Sequence, residues 1–154
     1  MHHNRALCLC ECGDFELAAA ALAASPGAPL GPEQANLRCW LEGRIAIGLK
    51  DWQTAERRLG EARNHFTHHG LLYDAAITSL DLAGVHLAQG RTFEVKRLAG
   101  QTLRTFEEQS VPPEMAEALK LFLQAAAADQ LSLETLASLR HRLEEARRPA
   151  RSAL

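Results

Sequence analysis

The sequence predicts an all-α protein, and three observations carry that expectation. The 154 residues include 27 Ala and 25 Leu but only six Val and Ile together, so the chain has few of the β-branched residues that favour a sheet. Turn and cap signals recur every one to two dozen residues. Between them, apolar residues return at steps of three and four, the period of a helix with one buried face. The expected architecture is an α-solenoid of about four antiparallel helix pairs over residues 1–148, with a frayed tail at 149–154.

The elements follow in chain order. Cys12-Gly13-Asp14 separates a first helix at 3–12 from a second at 14–24. The run from Ser25 to Pro32 is the only long loop, and Pro32 suits a helix first turn, so the third helix spans 33–48. Asp51 is a good N-cap for a fourth at 51–68. There Trp52, Ala55, Leu59, Ala62 and Phe66 form the apolar stripe, and Glu56, Arg57, Arg58, Glu61 and Arg63 take the solvated face. His69-Gly70 ends it. The fifth helix, 71–89, is apolar nearly all round, which predicts burial between neighbours. Gln89-Gly90-Arg91 introduces the sixth at 91–109, Ser110-Val111-Pro112-Pro113 the seventh at 113–129, and Ser132 caps the eighth at 132–147. Short connections force antiparallel neighbours, so the pairs are 3–24, 33–68, 71–109 and 113–147.

Charge and hydropathy exclude several functional classes. Lys and Arg number 17 against 19 Asp and Glu, without the basic surplus of a dedicated nucleic-acid binder. Arg140, Arg142, Arg147, Arg148 and Arg151 read as a solvated helix end. No apolar run is long enough to span a membrane. MHHNRALCLC has no apolar h-region, so no signal peptide is expected. Crowding of Cys8, Cys10 and Cys12, with Cys39 apart, does not read as a secreted disulfide framework, and a reducing cytoplasm fits better.

The pairs also repeat. The turns at Gly13, Lys50 and Gly90 lie 37 and 40 residues apart, a period that signals stacked helical hairpins. Five residues after each comes Ala18, Ala55 or Val95, and nine after comes Leu22, Leu59 or Ala99. Small residues stand seven before each turn, at Ala6, Gly43 and Ala83. On these positions the chain resembles a tetratricopeptide repeat domain. The stretches WLEGRIAIGLKDWQTAERRL and GLLYDAAITSLDLAGVHLAQGRTFEVKRLA are similar to repeat regions in bacterial regulatory and signalling chains. The resemblance covers about residues 4–147 and implies a right-handed superhelix with a concave groove along its first helices. In that register the groove takes Leu37, Trp40, Arg44 and Ile47, then Ile77, Leu80, Asp81 and Gly84, then Glu117, Lys120 and Gln124. Trp40 would anchor a peptide, and Arg44 or Lys120 would meet its carboxylates. Ordinary packing between repeats is the other reading of Trp40. The first helix is short for such an array, so a missing N-terminal part or a partner at that end is expected.

Other clusters yield less chemistry. Cys8 and Cys12 share a helix face and Cys10 points away, so one zinc could not collect all three, and they read as small buried apolar residues. His65, His68 and His69 sit at helical spacing and are the candidates for a metal, without an acidic third ligand. They read first as exposed histidines at a helix C-terminus. Ser79 and His86 are seven residues apart on one helix, about 10 Å along its axis, too far for nucleophile and base. No catalytic residue and no cofactor is expected. Asp74 and Asp81 lie on the most apolar helix. Asp74 is near its N-terminus, whereas Asp81 needs either a basic partner from an adjacent helix or a ligand.

The functional expectation is a non-catalytic protein or peptide interaction module, part of a longer bacterial regulatory chain. Replacing Arg44 and Asp81 together is then expected to weaken partner capture without unfolding the domain. Two alternatives stand beside it: self-association through the N-terminal end, and a helical domain that binds a small ligand or a metal.

Overall fold

The computed structural model describes residues 2–25 and 31–147, so the middle of the long loop (26–30) and the expected frayed tail lie outside the described residues. Within them are eight helices and no strand: α1 His2–Glu11, α2 Phe15–Ala23, α3 Pro32–Gly48, α4 Trp52–His68, α5 Leu72–Ala88, α6 Thr92–Glu107, α7 Pro113–Ala127 and α8 Leu133–Arg147. Each expected helix is present, with ends displaced by no more than two residues.

Local chemistry explains where the helices stop. At Gly13 the chain turns into the left-handed region (φ 84°). There Asp14 N–H reaches back to the Leu9 carbonyl at 2.9 Å and Gly13 N–H to that of Cys10 at 3.2 Å. This paired return satisfies carbonyls that α1 leaves open at its end. The same pair of bonds closes α3 (Asp51 to Ala46, Lys50 to Ile47), α5 (Arg91 to His86, Gly90 to Leu87) and α7 (Gln130 to Ala125, Asp129 to Ala126). Starts are equally local. Thr54 N–H donates to the Asp51 carboxylate at 3.2 Å and Thr135 N–H to the Ser132 hydroxyl at 3.1 Å, so both expected N-caps are formed.

Lys50 holds this left-handed position with φ 58°, where a side chain costs roughly 1–2 kcal/mol. Lys50→Gly should therefore stabilise the fold by about 0.5–1 kcal/mol after glycine's extra unfolded-state entropy is subtracted. Thermal unfolding followed by circular dichroism checks it, the expected change being an increase in Tm.

The chain divides into two compact units, Met1–His65 and Phe66–Leu154, with the division in the last turn of α4. In the first unit α1 packs on α2, and α3 packs on both. Their shared core is Ala6, Cys10, Ala18, Leu22, Leu41 and Ile45, with Phe15 and Trp40 half-buried against it. Helix α4 approaches α3 at Gly43, where an added Cβ would lie 2.6 Å from Leu59 Cγ. The small residue seven before the turn thus makes room for a fully buried leucine. Arg63, expected on the solvated face of α4, is only half exposed, and burial pushes its guanidinium below its ordinary value.

The second unit is a ring of four helices. Helix α5 meets α6, α6 meets α7, α7 meets α8, and α8 returns to α5. The last contact runs antiparallel. Asp74 pairs with Arg147 at 2.7 Å, Tyr73 donates its hydroxyl to the Ala146 carbonyl at 3.4 Å, Asp81 pairs with Arg140, and Gly84 faces Leu133 and Leu136. Between its flanking neighbours α5 is buried continuously from Ala75 to Leu80, and again at Leu82, Ala83, Val85 and His86, as its all-round apolar pattern implies. Phe106, Met115, Leu119 and Phe122 supply the largest fully buried side chains of the unit.

Candidate functional site

The first unit has an open cleft of about 300 Å³ formed by α2, α3 and the start of α4. Helical period puts Arg38, Glu42, Ile45, Ala46 and Leu49 on one side of α3, and all five line the cleft. From α2 come Ala19, Leu22 and Ala23, and from α4 and its cap come Asp51, Thr54, Arg57 and Arg58. The floor is therefore aliphatic and the rim carries three guanidiniums against two carboxylates.

The rim is ordered by its own ion pairs. Glu42 stands between two arginines, Arg38 at 3.1 Å on one oxygen and Arg58 at 2.9 Å on the other. Arg38 also donates to the Leu22 carbonyl at 3.3 Å, which ties α3 to α2. Asp51 accepts from the start of α4, and hydrogen bonds from Thr54 hold its carboxyl below the usual range, with Arg57 adding attraction. Arg57 itself is exposed. A planar guanidinium above an aliphatic floor suits a carboxylate attached to a short apolar group. A volume near the lower bound of about 300 Å³ for ligand pockets suits one or two side chains of a docked segment.

The groove residues expected from the resemblance have different surroundings. Trp40 is half-buried on the edge of the first core, with the Arg44 guanidinium 5.2 Å from its ring centroid, a cation–π contact. Ile47 is half-buried beside them and Leu37 is 49% exposed. Trp40, Arg44 and Ile47 lie on nearly the opposite side of α3 from the cleft and do not line it. In the second unit Leu80 is 3% exposed and belongs to the core, so its side chain presents no surface to a partner. Asp81 is engaged by Arg140 of α8, which meets the first of its two expected alternatives, a basic partner from an adjacent helix rather than a ligand. Lys120 and Gln124 are exposed on α7. Replacing Asp81 consequently disturbs an ion pair of the fold, and the Arg44/Asp81 double substitution cannot serve as a neutral test of capture.

The remaining candidates divide similarly. Cys10 is buried, but Cys8 and Cys12 are exposed, so only the middle thiol of the three is the apolar core residue expected. The His68 and His69 rings meet edge to face, 5.2 Å between centroids. Among the described residues no three His, Cys, Asp or Glu side chains gather as a metal-holding group, His65, His68 and His69 included. Ser79 donates its hydroxyl to the Ala75 carbonyl at 2.8 Å, one turn back along its own helix. No described helix is long and apolar enough to cross a membrane.

Cys39 has a distinct environment. Its thiol donates toward the Arg58 carbonyl at 3.2 Å and the Glu61 carboxylate at 3.3 Å. Burial, then the Glu61 hydrogen bond and its charge, push the Cys39 thiol up to about 11. Only the thiolate attacks a disulfide reagent. In the native chain at pH 8, Cys8 and Cys12 are therefore expected to react with Ellman's reagent well before Cys39, as peptide mapping of the labelled thiols would reveal. Stability tied to the protonated Cys39 thiol is intact below its ordinary value of 9.0 and falls as pH rises from there toward 11.

The signal that could have located the cleft is present in the sequence. Arg38 and Glu42 are four apart, a helical ion-pair spacing, and Arg57-Arg58 follow a cap. Read within single helices, these charges look like ordinary solvated faces. Only their assembly from three helices makes a site. No family model, curated protein or solved structure matches the chain.

Proposed function

We propose that this chain is a non-catalytic protein-interaction module of tetratricopeptide-like type, recognising a peptide segment of its partner within a bacterial regulatory assembly of the cytoplasm. The observation that carries the reading is the α2–α3–α4 cleft, an aliphatic floor beneath an arginine-rich rim on preformed helices. Docking there needs little backbone rearrangement, which limits the ordering cost of binding. Leu49, 45% exposed, offers apolar contact at the cleft, and Arg57 offers charge. On this reading the docking surface is the side of α3 opposite Trp40 and Arg44.

Peptide selection from a random library on the intact chain, followed by calorimetry of the selected peptide, tests the proposal. Leu49→Asp and Arg57→Glu are each expected to weaken binding by about tenfold or more, the scale of a contact worth about 1.4 kcal/mol. Helix content should be unchanged. Failure to select any peptide, or unaltered affinity in both folded variants, overturns the proposal.

A further inference from the structure

The three-cysteine run at the start of the chain has a use that the cleft does not absorb. Cys8 and Cys12 are both exposed and neither is in a disulfide. They lie one helical turn apart, and the turn is intact between them, since Cys12 N–H donates to the Cys8 carbonyl at 3.0 Å. Cys10, on the other face, is 4% exposed in the core with Ala6. That packing, together with Leu7 and Leu9 against the same core, fixes the rotation of α1. Cys8 is thus held outward on α1, and Cys12 on the hydrogen-bonded turn that closes it.

Distance decides what such a pair can do. One helical turn sets Cβ atoms about 5–6 Å apart, whereas a disulfide requires about 3.5–4.5 Å. Direct oxidation of the pair would have to distort the helix, but an ion placed between the two sulfurs spans the larger gap. Donor number decides which ion. Structural zinc takes four ligands, and no third and fourth ligating side chains gather here among the described residues. A soft, thiophilic ion content with two sulfur donors is satisfied by what is present.

We propose that Cys8 and Cys12 form a two-thiolate site for a soft monovalent cation of the Cu(I) type. Binding exchanges each S–H bond for a sulfur–copper bond and releases two protons to solvent. Copper enters and stays as Cu(I), so no electron is transferred.

The test offers Cu(I) to the reduced full chain under anaerobic ascorbate, with bicinchoninate as competing ligand and colour indicator. The expected result is one Cu(I) taken per chain, at monomer mass by size exclusion, with helix content unchanged. Cys8→Ser and Cys12→Ser should each abolish that uptake, and Cys39→Ser should leave it intact. Because both substituted thiols are exposed, these variants are expected to keep the helical spectrum of the parent. Undiminished uptake by either single variant overturns the proposal. So does the absence of uptake by the parent chain, or copper found only in dimers bridged between two chains.

Discussion

Replacing Arg140 by Ala is expected to destabilise the second unit by about 3 kcal/mol, because it strips the cationic partner from a largely buried carboxylate. The Asp81 side chain retains 9% of its exposure and that of Arg140 20%, so water can replace little of the lost interaction. Asp81 sits in the middle of α5, the most apolar helix, far from the N–H groups at its start. Arg140 reaches it from α8, 59 residues along the chain, and also holds Glu144 at 3.1 Å. Urea unfolding followed by circular dichroism measures the effect as a lower midpoint. The pair Asp81→Asn and Arg140→Met, made together, should recover most of the loss, since removing both charges removes the uncompensated one. A midpoint unchanged in Arg140→Ala would mean that the carboxylate is adequately solvated. The neighbouring pair provides the contrast. Arg147 and Asp74 are 54% and 26% exposed, and Arg147→Ala should cost under about 1 kcal/mol.

Phe122→Ala is expected to cost the second unit about 3–5 kcal/mol. The phenylalanine is 0% exposed on α7 and belongs with Phe106, Met115 and Leu119 to its largest buried side chains. Helices cannot close fully over the missing ring without giving up contacts elsewhere, so transfer and cavity terms add. Phe122→Leu, which keeps most of the volume, should lose less than half as much. Equal losses in the two variants would show that volume is not what Phe122 supplies. Both measurements use the same urea titration as the Arg140 series, and heating gives the same order of Tm values.

Much of the fold was legible in the sequence because it is set by short-range chemistry. Gly13 and Gly90 announce left-handed turns, Asp51 and Ser132 announce caps, and Pro32 announces a first turn; each acts within a few residues of itself. Burial of α5 was legible because its apolar residues leave no polar face. That Asp81 needed either a basic partner or a ligand followed from the same pattern. That the partner is Arg140 did not, since the contact depends on α8 closing the ring against α5. Gly43 was legible as a small position, and its reason, the close approach of Leu59, became visible only with α4 in place. The cleft was the least legible feature. Arg57 and Arg58 follow the expected pattern of a solvated helix, and Glu42 becomes part of a site only when α4 brings Arg58 beside it. Cys8, Cys10 and Cys12 divide as helical geometry requires, yet which face is outward depends on the core that α2 and α3 provide.

The division of the chain also assigns its chromophores. Both tryptophans, Trp40 and Trp52, belong to the first unit, whereas the single tyrosine, Tyr73, belongs to the second and bridges α5 to α8. Excitation at the red edge, where only indole absorbs, therefore watches the first unit alone. The phenol contribution to the near-ultraviolet spectrum watches the closure of the second. The two units can be followed separately in one unlabelled sample, each through its own natural dye.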